Sequence, residues 1–186
     1  MRNKFKGWIG ELKLRLAMWV FLSKKYRILN DITILLPQGK TSQIDHVLVS
    51  PYGIFVIETK NYQGLITANE EDGMWLQGFS RNNYRFYSPI RQNEGHIRSL
   101  KYLLKSHEYP MMNIVGFVGK ADFNGAIPTG VANGAIATVR LIKRYKAAFI
   151  KPDEVTRIYE LIEARRMPSN MRTKRLHIRN VRAKQG

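Results

Sequence analysis

The sequence predicts an α/β protein in which a central mixed β-sheet is flanked by helices. Apolar runs of strand length recur between residues 26 and 118, and segments with helical spacing stand before, between and after them. A hydrophobic fraction of 44% is ample for a packed core. For 186 residues we expect a core over residues 1–150 and a basic helical extension over residues 151–186.

Residues 3–23 predict the first helix, because apolar side chains recur there at close to a 3.6-residue spacing. We expect this stripe to pack on the sheet; it comprises Phe5, Ile9, Leu12, Leu16 and Trp19 or Val20. Glu11 lies beside the stripe, where it can pair with Arg15 on the surface or reach a site on the sheet. The helix is also basic and contains Trp8 and Trp19, so a position on a membrane surface is a second interpretation. Its place ahead of a sheet favours core packing.

The elements that follow are predicted from apolar runs and from turn residues. Residues 26–36 form a strand that leads through a Pro-Gln-Gly turn into a hairpin over residues 43–60. Short strand-like pieces follow as far as residue 87, and two buried strands are expected at residues 113–118 and 134–139. Ser88 and Pro89 predict a helix that runs to about His107, and Pro152 begins another that runs to about Arg166.

The hairpin brings two carboxylates together. If its strands pair symmetrically about the Ser-Pro-Tyr-Gly turn at residues 50–53, Asp45 lies opposite Glu58. Alternation places Lys60 on the same face and turns His46 to the opposite face. Two carboxylates about 4 Å apart repel by about 1 kcal/mol in water and by about 4 kcal/mol at a partly buried site. A bound divalent cation would offset this repulsion, and neutralising Glu58 is expected to stabilise the metal-free fold.

The chemistry of these side chains suits a metal-assisted hydrolysis. Mg²⁺ or Mn²⁺ prefers oxygen ligands, and Mg²⁺ usually takes one or two carboxylates together with water and substrate phosphate. We therefore expect Asp45 and Glu58 to bind such an ion, which would lower the pKa of its bound water. Lys60 would orient that water or offset charge in the transition state. The absence of cysteine excludes disulfides, zinc ribbons, thiol catalysis and iron–sulfur ligation.

The net charge of +17, from 31 Lys and Arg against 14 Asp and Glu, predicts a polyanionic partner, most simply nucleic acid. Near the start of the helix that begins at Pro89, backbone N–H groups favour phosphate, and basic side chains stand there at Arg91, His96 and Arg98. Residues 164–186 contain eight Lys or Arg and no acidic residue. We expect this tail to bind nucleic acid through Arg172, Lys174, Arg175 and Arg179; a disordered solubilising terminus is the alternative.

The ordered series of motifs resembles the nuclease-related domain family, NERD, of the restriction-endonuclease-like PD-(D/E)xK nuclease superfamily. The series begins with Gly10-Glu11, Gln-Ile-Asp-His at 43–46 and Gly-Ile-Phe-Val-Ile-Glu-Thr-Lys-Asn at 53–61. It continues with Gly64, Trp75, Pro-Ile-Arg-Gln-Asn at 89–93 and His96. The resemblance covers roughly residues 7–105, and the rest of the chain shows no such pattern.

The resemblance implies a restriction-endonuclease-like core and a metal-dependent cleavage of phosphodiester bonds in DNA, with Asp45, Glu58 and Lys60 as the central residues. It makes the backbone carbonyl of Thr59 a further metal ligand, and Glu11 a helix carboxylate that reaches the metal site, directly or through water. It makes Gln92 and Asn93 side chains that position the substrate or a water. Surface amides without a function remain the alternative for these two residues.

Three functions stay open from the sequence. The first is a metal-dependent nuclease, which the intact Asp45, Glu58 and Lys60 favour. The second is a non-catalytic nucleic-acid-binding protein on the same scaffold, and the third is a basic peripheral membrane protein that uses the 3–23 helix. No apolar run approaches the ~20 residues that span a bilayer, and no secretory signal is apparent, so we expect a cytoplasmic protein without an integral membrane segment. Cutting both strands in one event would need two sites, so a homodimer is a further expectation.

Overall fold

The computed structural model describes residues 2–69, 73–79, 82–105 and 108–183. The helices are α1 (Arg2–Phe21), α2 (Pro89–Leu104), α3 (Ala135–Ile142), α4 (Pro152–Arg165) and α5 (Met171–Arg182). The strands are β1 (Arg27–Leu35), β2 (Thr41–Ser50), β3 (Gly53–Lys60), β4 (Gln63–Thr67), β5 (Met74–Phe79), β6 (Asn82–Tyr87), β7 (Met111–Phe117), β8 (Lys120–Phe123) and β9 (Val131–Asn133). Residue 107, the expected end of α2, lies outside the described residues.

Five strands form a mixed sheet in the order β1-β2-β3-β7-β9, in which β1, β2 and β3 are antiparallel and β3, β7 and β9 are parallel. Side chains of α1 and α3 pack on one face of this sheet, and side chains of α2 and α4 pack on the other. A second sheet has the order β6-β5-β4-β8 and shares with β7 a cluster around Trp75 and Phe117. The prediction of a mixed sheet flanked by helices is confirmed. Among the described residues, no helix has both the length and the apolar character that a membrane crossing requires.

The β2–β3 hairpin has the register that its turn predicts. Ser50 pairs with Gly53, and the pairing continues without a shift to His46 and Ile57. Gly53 has a φ of 119°, and a Cβ there would lie 2.6 Å from the side chain of Met112 and 2.9 Å from a backbone oxygen. A side chain at position 53 would therefore disrupt the turn that sets the register.

Strand alternation breaks once on β1 and once on β2, at opposed positions. On each strand, two residues three apart pack in the same core beneath α2 and α4: Leu29 and Ile32 on β1, and Ile44 and Val47 on β2. Asp31, which has a φ of 52°, lies within the first interval, and Asp45 lies within the second. Asp tolerates this left-handed backbone better than most residues. The two aspartates therefore stand where neither strand continues its regular alternation.

The apolar stripe predicted for the inner face of α1 is largely wrong, because most of it faces outward. Leu14, Ala17 and Met18 are the side chains buried against the sheet, whereas Trp19 is 76% exposed. Further exposed members of the stripe are Leu12, Leu16 and Val20; Ile9 is half-buried, and the side chain of Phe5 lies outside the described residues. The helix is apolar on both sides, and Gly10 contributes to the choice between them. A Cβ at Gly10 would lie 2.7 Å from the Cβ of Asn61, so only a glycine permits this close approach.

One further expectation is corrected in the C-terminal third, and one stays a prediction. The apolar run at 134–139, expected to be a strand, forms the start of α3, and the strand β9 ends just before it. Gly134, with a φ of 111°, separates the two elements, and an apolar run of six residues carries no period that distinguishes them. The helix α4 buries Val155, Ile158 and Ile162 in the core that it shares with β1, β2 and β3. Helix α4 therefore shares a core with the sheet, and the expected division of the chain at residue 150 stays a prediction.

Candidate active site

Glu58, Lys60 and Gln92 form a closed hydrogen-bonded cluster where β3 meets α2. Glu58 is only 4% exposed, and its Oε1 accepts from Lys60 Nζ at 2.7 Å and from Gln92 Nε2 at 2.8 Å. Lys60 Nζ also donates to Gln92 Oε1 at 2.9 Å. Each of the three side chains therefore contacts the other two. The structure brings together these three residues of the predicted site.

His96 approaches Glu58 from the next turn of α2. Its Nδ1 is hydrogen-bonded to Ser42 Oγ of β2 at 3.0 Å, and its Nε2 lies 3.3 Å from Glu58 Oε2. That is an ion-pair distance, but within the described residues neither atom has a hydrogen bond. Ser42 thus holds the imidazole against an oxygen of Glu58 that hydrogen bonds do not saturate. We expected His96 at a nucleic-acid surface, and the structure places it inside the candidate site.

The charges around Glu58 favour its ionised form. Burial alone would raise the pKa of Glu58, but Lys60 and then His96 outweigh burial and hold this pKa below its ordinary value. Burial would lower the pKa of Lys60, but the adjacent Glu58 carboxylate raises it above its ordinary value. Lys60 is therefore an ammonium ion at neutral pH.

Asp45 has surroundings of the opposite sign. This half-buried residue directly precedes His46, where the pairing of β2 with β3 ends, and its Oδ2 accepts from the backbone N–H of Thr59 at 2.8 Å. Burial, and then repulsion from Glu58 and Glu11, raise the pKa of Asp45 well above its usual range. The Thr59 N–H and the charge of Lys60 act against this rise without cancelling it.

Glu11 and Asp31 extend this acidic region. Burial, and then the charges of Asp31 and Glu58, raise the pKa of Glu11, while Lys174 of α5 lowers it. Asp31 Oδ1 accepts from Gln43 Nε2 at 2.6 Å. We call Glu11, Asp31 and Asp45 the acidic half of the site. The paired half consists of Glu58, Lys60, Gln92 and His96.

Two residues of this region, Asp31 and Ser42, are not among those that the sequence predicted for the site. Asp31 follows Asn30 inside a strand, and two consecutive turn-favouring residues within an apolar run are a signal of a local break that could have identified it. Ser42 carries no such signal, because a serine at the start of a strand is common. Its role depends on the packing of α2 across β2.

The donor set is compatible with Mg²⁺ or Mn²⁺. Within the described residues, no group of three or more His, Cys, Asp or Glu side chains is arranged to hold a metal ion. The pair Asp45 and Glu58 nevertheless falls within the one or two carboxylates that Mg²⁺ usually takes. The raised pKa of Asp45 and the unsaturated Oε2 of Glu58 are two features that a nearby cation would stabilise.

The residues expected to bind nucleic acid fall into two groups. Arg91 and Arg98 are exposed on α2, as such a role requires. Asn93 is fully buried, and its Nδ2 donates to Val56 O at 2.7 Å, to Asn113 Oδ1 at 2.8 Å and to Ile114 O at 3.1 Å. Asn93 thus attaches α2 to β3 and β7 and has no surface to offer to a substrate. This corrects its expected role.

The basic tail forms the helix α5, which packs against β2. Thr41 Oγ1 is hydrogen-bonded to His177 Nδ1 at 3.0 Å, and Asn180 Nδ2 donates to Gly39 O at 2.9 Å. The four cationic residues singled out in the tail are all exposed: Arg172, Lys174, Arg175 and Arg179. Because the charge of Lys174 lowers the pKa of Glu11, this helix stands beside the acidic half.

His46 lies outside this arrangement. It is buried, and its Nδ1 is hydrogen-bonded to Asn30 Oδ1 at 2.7 Å. Burial, and then the charge of Arg15, lower the pKa of His46 to about 4. The side chain is therefore neutral at pH 7.

A family model described as nuclease-related domain, NERD, matches residues 6–118. The chain is also 30% identical, over 162 residues, to an uncharacterized protein of Bacillus anthracis; the match covers 86% of this chain and 76% of that protein. No solved structure matches the chain. The span of the family model contains Glu11, Asp45, Glu58, Lys60 and Gln92, and it ends before α3. The chain belongs to the nuclease-related domain family.

Proposed function

We propose that this protein is a metal-dependent nuclease that hydrolyses phosphodiester bonds in DNA. One observation carries the proposal: in a member of the nuclease-related domain family, Glu58, Lys60 and Gln92 form a closed cluster beside Asp45, a carboxylate with an unfavourable charge. Buried ionisable groups with shifted pKa values are typical of functional sites. The opposite shifts of Asp45 and Glu58 on neighbouring strands fit that rule.

Asp45 and Glu58, together with the backbone carbonyl of Thr59, would hold Mg²⁺ or Mn²⁺. The bound ion would supply a water of lowered pKa and would polarise the phosphate. Glu11, whose charge acts on Asp45, would contribute directly or through a water. The metal is thus the partner that the acidic half requires.

Lys60 acts as a charged donor in this proposal and not as a neutral base. Two of its three N–H donors go to Glu58 and Gln92, and the third can donate to the attacking water or to a phosphate oxygen. An ammonium fixed in advance stabilises charge that develops in the transition state without reorganising. Gln92 and His96 keep Glu58 and Lys60 in place.

Exposed cations supply the contacts to the DNA backbone. Arg91 and Arg98 lie on α2, and four more lie on α5 beside the acidic half: Arg172, Lys174, Arg175 and Arg179. Each phosphate contact that is removed should lower the slope of log K against log[salt] by about 0.9 on duplex DNA. Replacing all four α5 residues by Gln should therefore weaken binding and flatten its salt dependence, as measured by titration at several salt concentrations.

The test is cleavage of labelled linear, circular and single-stranded DNA with Mg²⁺, with Mn²⁺ and with EDTA. Asp45→Asn should abolish the metal-dependent cleavage and leave the fold intact. The matched control is Asp153→Asn, the same change at an exposed position of α4, which should cleave like the wild type. Cleavage that persists in Asp45→Asn would remove the site assignment.

Tight binding without cleavage of any DNA would favour the non-catalytic nucleic-acid-binding protein. Cleavage of both strands in one event, with a dimer in sedimentation, would support a homodimer.

A second candidate function, attachment to an anionic membrane surface, rests on a separate observation. The outward face of α1 combines exposed Trp19, Leu16 and Val20 with exposed Lys13 and Arg15, a combination typical of helices that lie at a lipid interface. Co-sedimentation with vesicles that contain phosphatidylserine, but not with pure phosphatidylcholine, would support it. Trp19→Ser should weaken that binding, and equal pelleting of this variant and the wild type would argue against it.

A further inference from the structure

A cleft of about 540 Å³ opens beside Lys60, and the proposed function does not explain it. One wall is the end of β3 with the residues that follow it, including Lys60, Asn61 and Tyr62. The other wall is the β5–β6 hairpin, which contributes Gln77, Phe79 and Tyr84. The cleft therefore begins at a residue of the candidate site and leads away from it along an aromatic surface.

The exposed rings on the hairpin continue a buried aromatic cluster. Trp75 pairs with Phe86, and Gln77 pairs with Tyr84, so alternation places these residues and Phe79 on one face of the hairpin. Trp75 and Phe86 pack inside the protein, whereas Phe79 is 42% exposed and Tyr84 is 56% exposed. The same face thus changes from core to an open aromatic surface as it reaches the cleft.

The walls of the cleft are held in place by their own contacts. Gln77 Nε2 of β5 donates to Gln63 O of the adjacent strand β4 at 2.8 Å. Tyr62 packs edge-on against Phe86, with 4.8 Å between ring centroids. Gly64 has a φ of 81°, and a Cβ there would collide with the backbone oxygen of Gly78, so β4 and β5 approach closely. The aromatic rings therefore stand on a fixed support.

We propose that this cleft is a subsite for an unstacked base of a single-stranded nucleic acid, with the base against Phe79 and Tyr84 and its phosphate directed toward Lys60. The proposal rests on the proposed function and narrows its substrate. Exposed aromatic side chains bind single strands because every base has a face that can stack on a ring, and Lys60 is a cation that lines this cleft. In a duplex the bases are stacked on one another, so these rings could not reach them. We therefore expect the site to prefer single strands, or ends and gaps where bases are free.

The experiment measures binding, so it does not depend on cleavage. A fluorescein-labelled oligothymidylate and a duplex of equal length are titrated with the full chain in EDTA, and anisotropy gives the two dissociation constants. Tyr84→Ala and Phe79→Ala should each weaken single-strand binding by roughly 5- to 100-fold and leave duplex binding unchanged. Tyr84→Phe, which keeps the ring, should bind like the wild type.

The matched control is Tyr102→Ala, which removes a ring of similar exposure, 55%, from α2 outside the cleft. It should change neither constant, and thermal melting checks that all variants are folded. Equal single-strand affinity in Tyr84→Ala, Phe79→Ala and the wild type would overturn the subsite, and so would an equal loss for single strand and duplex.

Ring-dependent binding by a protein that cuts no DNA would support the subsite and overturn the nuclease. If Tyr84→Ala and the wild type cut single-stranded and duplex DNA equally well in the presence of metal, the nuclease would be supported and the subsite would be overturned.

Discussion

The two halves of the candidate site place similar carboxylates in opposite electrostatic surroundings. In the paired half, Glu58 contacts Lys60, Gln92 and His96, and its pKa lies below the ordinary value. In the acidic half, Asp45 faces other acids and accepts from the backbone N–H of Thr59, and its pKa lies well above the ordinary value. The residues lie on the two strands of one hairpin, and the difference comes from Lys60 of β3 and His96 of α2 beside Glu58, and from Glu11 of α1 near Asp45.

The comparison identifies which carboxylate needs an external charge. Glu58 is neutralised by the protein itself, and a metal ion would share an oxygen that is already beside His96. Asp45 has no cation at hydrogen-bond distance among the described contacts, so it would gain more from a bound ion. We infer that metal binding would chiefly stabilise the acidic half, and that folding of the paired half does not depend on metal.

The largest expected effect on stability comes from removing the cation of the paired half. Lys60→Met should lower the free energy of unfolding by about 3–5 kcal/mol, because it leaves Glu58 buried without its ammonium partner. Urea denaturation in EDTA measures this, with the exposed Lys143→Met as the matched control. The double variant Lys60→Met/Glu58→Gln should recover part of the loss. A cost below about 1 kcal/mol, the range of exposed ion pairs, would contradict the burial of this pair.

Neutralising each carboxylate in turn should give effects of opposite sign. Glu58→Gln should destabilise the metal-free protein by about 1–3 kcal/mol, because it weakens hydrogen bonds to a charged group. This reverses the stabilisation that the sequence alone led us to expect. Asp45→Asn should stabilise it by about 1 kcal/mol, or roughly 2–4 °C in Tm. Calorimetry in EDTA measures both, and changes of the same sign would remove the distinction between the halves.

The pH dependence of stability should differ between the halves in the same way. The folded pKa of Asp45 is raised above 3.8, so its ionisation destabilises the fold progressively as pH rises from 3.8 through that folded pKa. The folded pKa of Glu58 is lowered below 4.5, so its contribution is present above 4.5 and is lost as pH falls through that folded pKa. Urea denaturation in EDTA between about pH 3 and pH 8 should show the stability difference between Asp45→Asn and wild type growing with pH. Both proteins contain His46, so its titration cancels in the difference between their free energies of unfolding. A difference that does not change with pH would contradict the raised pKa of Asp45.

The smallest expected effect is at the edge of the acidic half. Glu11→Gln should raise metal-free stability by only a few tenths of a kcal/mol, since the side chain is half-buried and Lys174 already offsets part of the repulsion. In the Lys174→Gln background the same change should stabilise the protein more. Thermal melting of the four proteins forms a double-mutant cycle. Strictly additive changes would show that Lys174 does not act on Glu11.

The parts of the fold that depend on local chemistry could be predicted from the sequence. The Pro-Gly turn gave the correct hairpin register, and Ser88-Pro89 marked the start of α2, where Ser88 accepts from the N–H of Arg91. What failed depended on packing between distant segments. The choice between the two apolar sides of α1 depends on close approach at Gly10, and the burial of Asn93 depends on carbonyl groups of β3 and β7.

For the site residues, too, some properties follow from local sequence and others depend on packing between distant segments. Their identities follow from the order of motifs, but the opposite charge environments of Asp45 and Glu58 do not. Those environments depend on packing between distant segments, which places Glu11 of α1 near Asp45 and places His96 of α2 beside Glu58, next to Lys60 of β3. Alternation along a hairpin treats both carboxylates alike.

The hydrogen bonds of Asn93 have a consequence for the order of assembly during synthesis. All the residues of both halves have left the ribosomal catalytic centre once His96 is added, yet Asn93 bonds partly to Asn113 and Ile114, which are made later. The docking of α2, and with it the contact of Gln92 and His96 with Glu58, therefore awaits β7, which pairs with β3 as far as Phe117. We expect a chain stopped before residue 111 to contain every residue of the site without forming it. The site is thus completed by a strand that contributes none of its side chains.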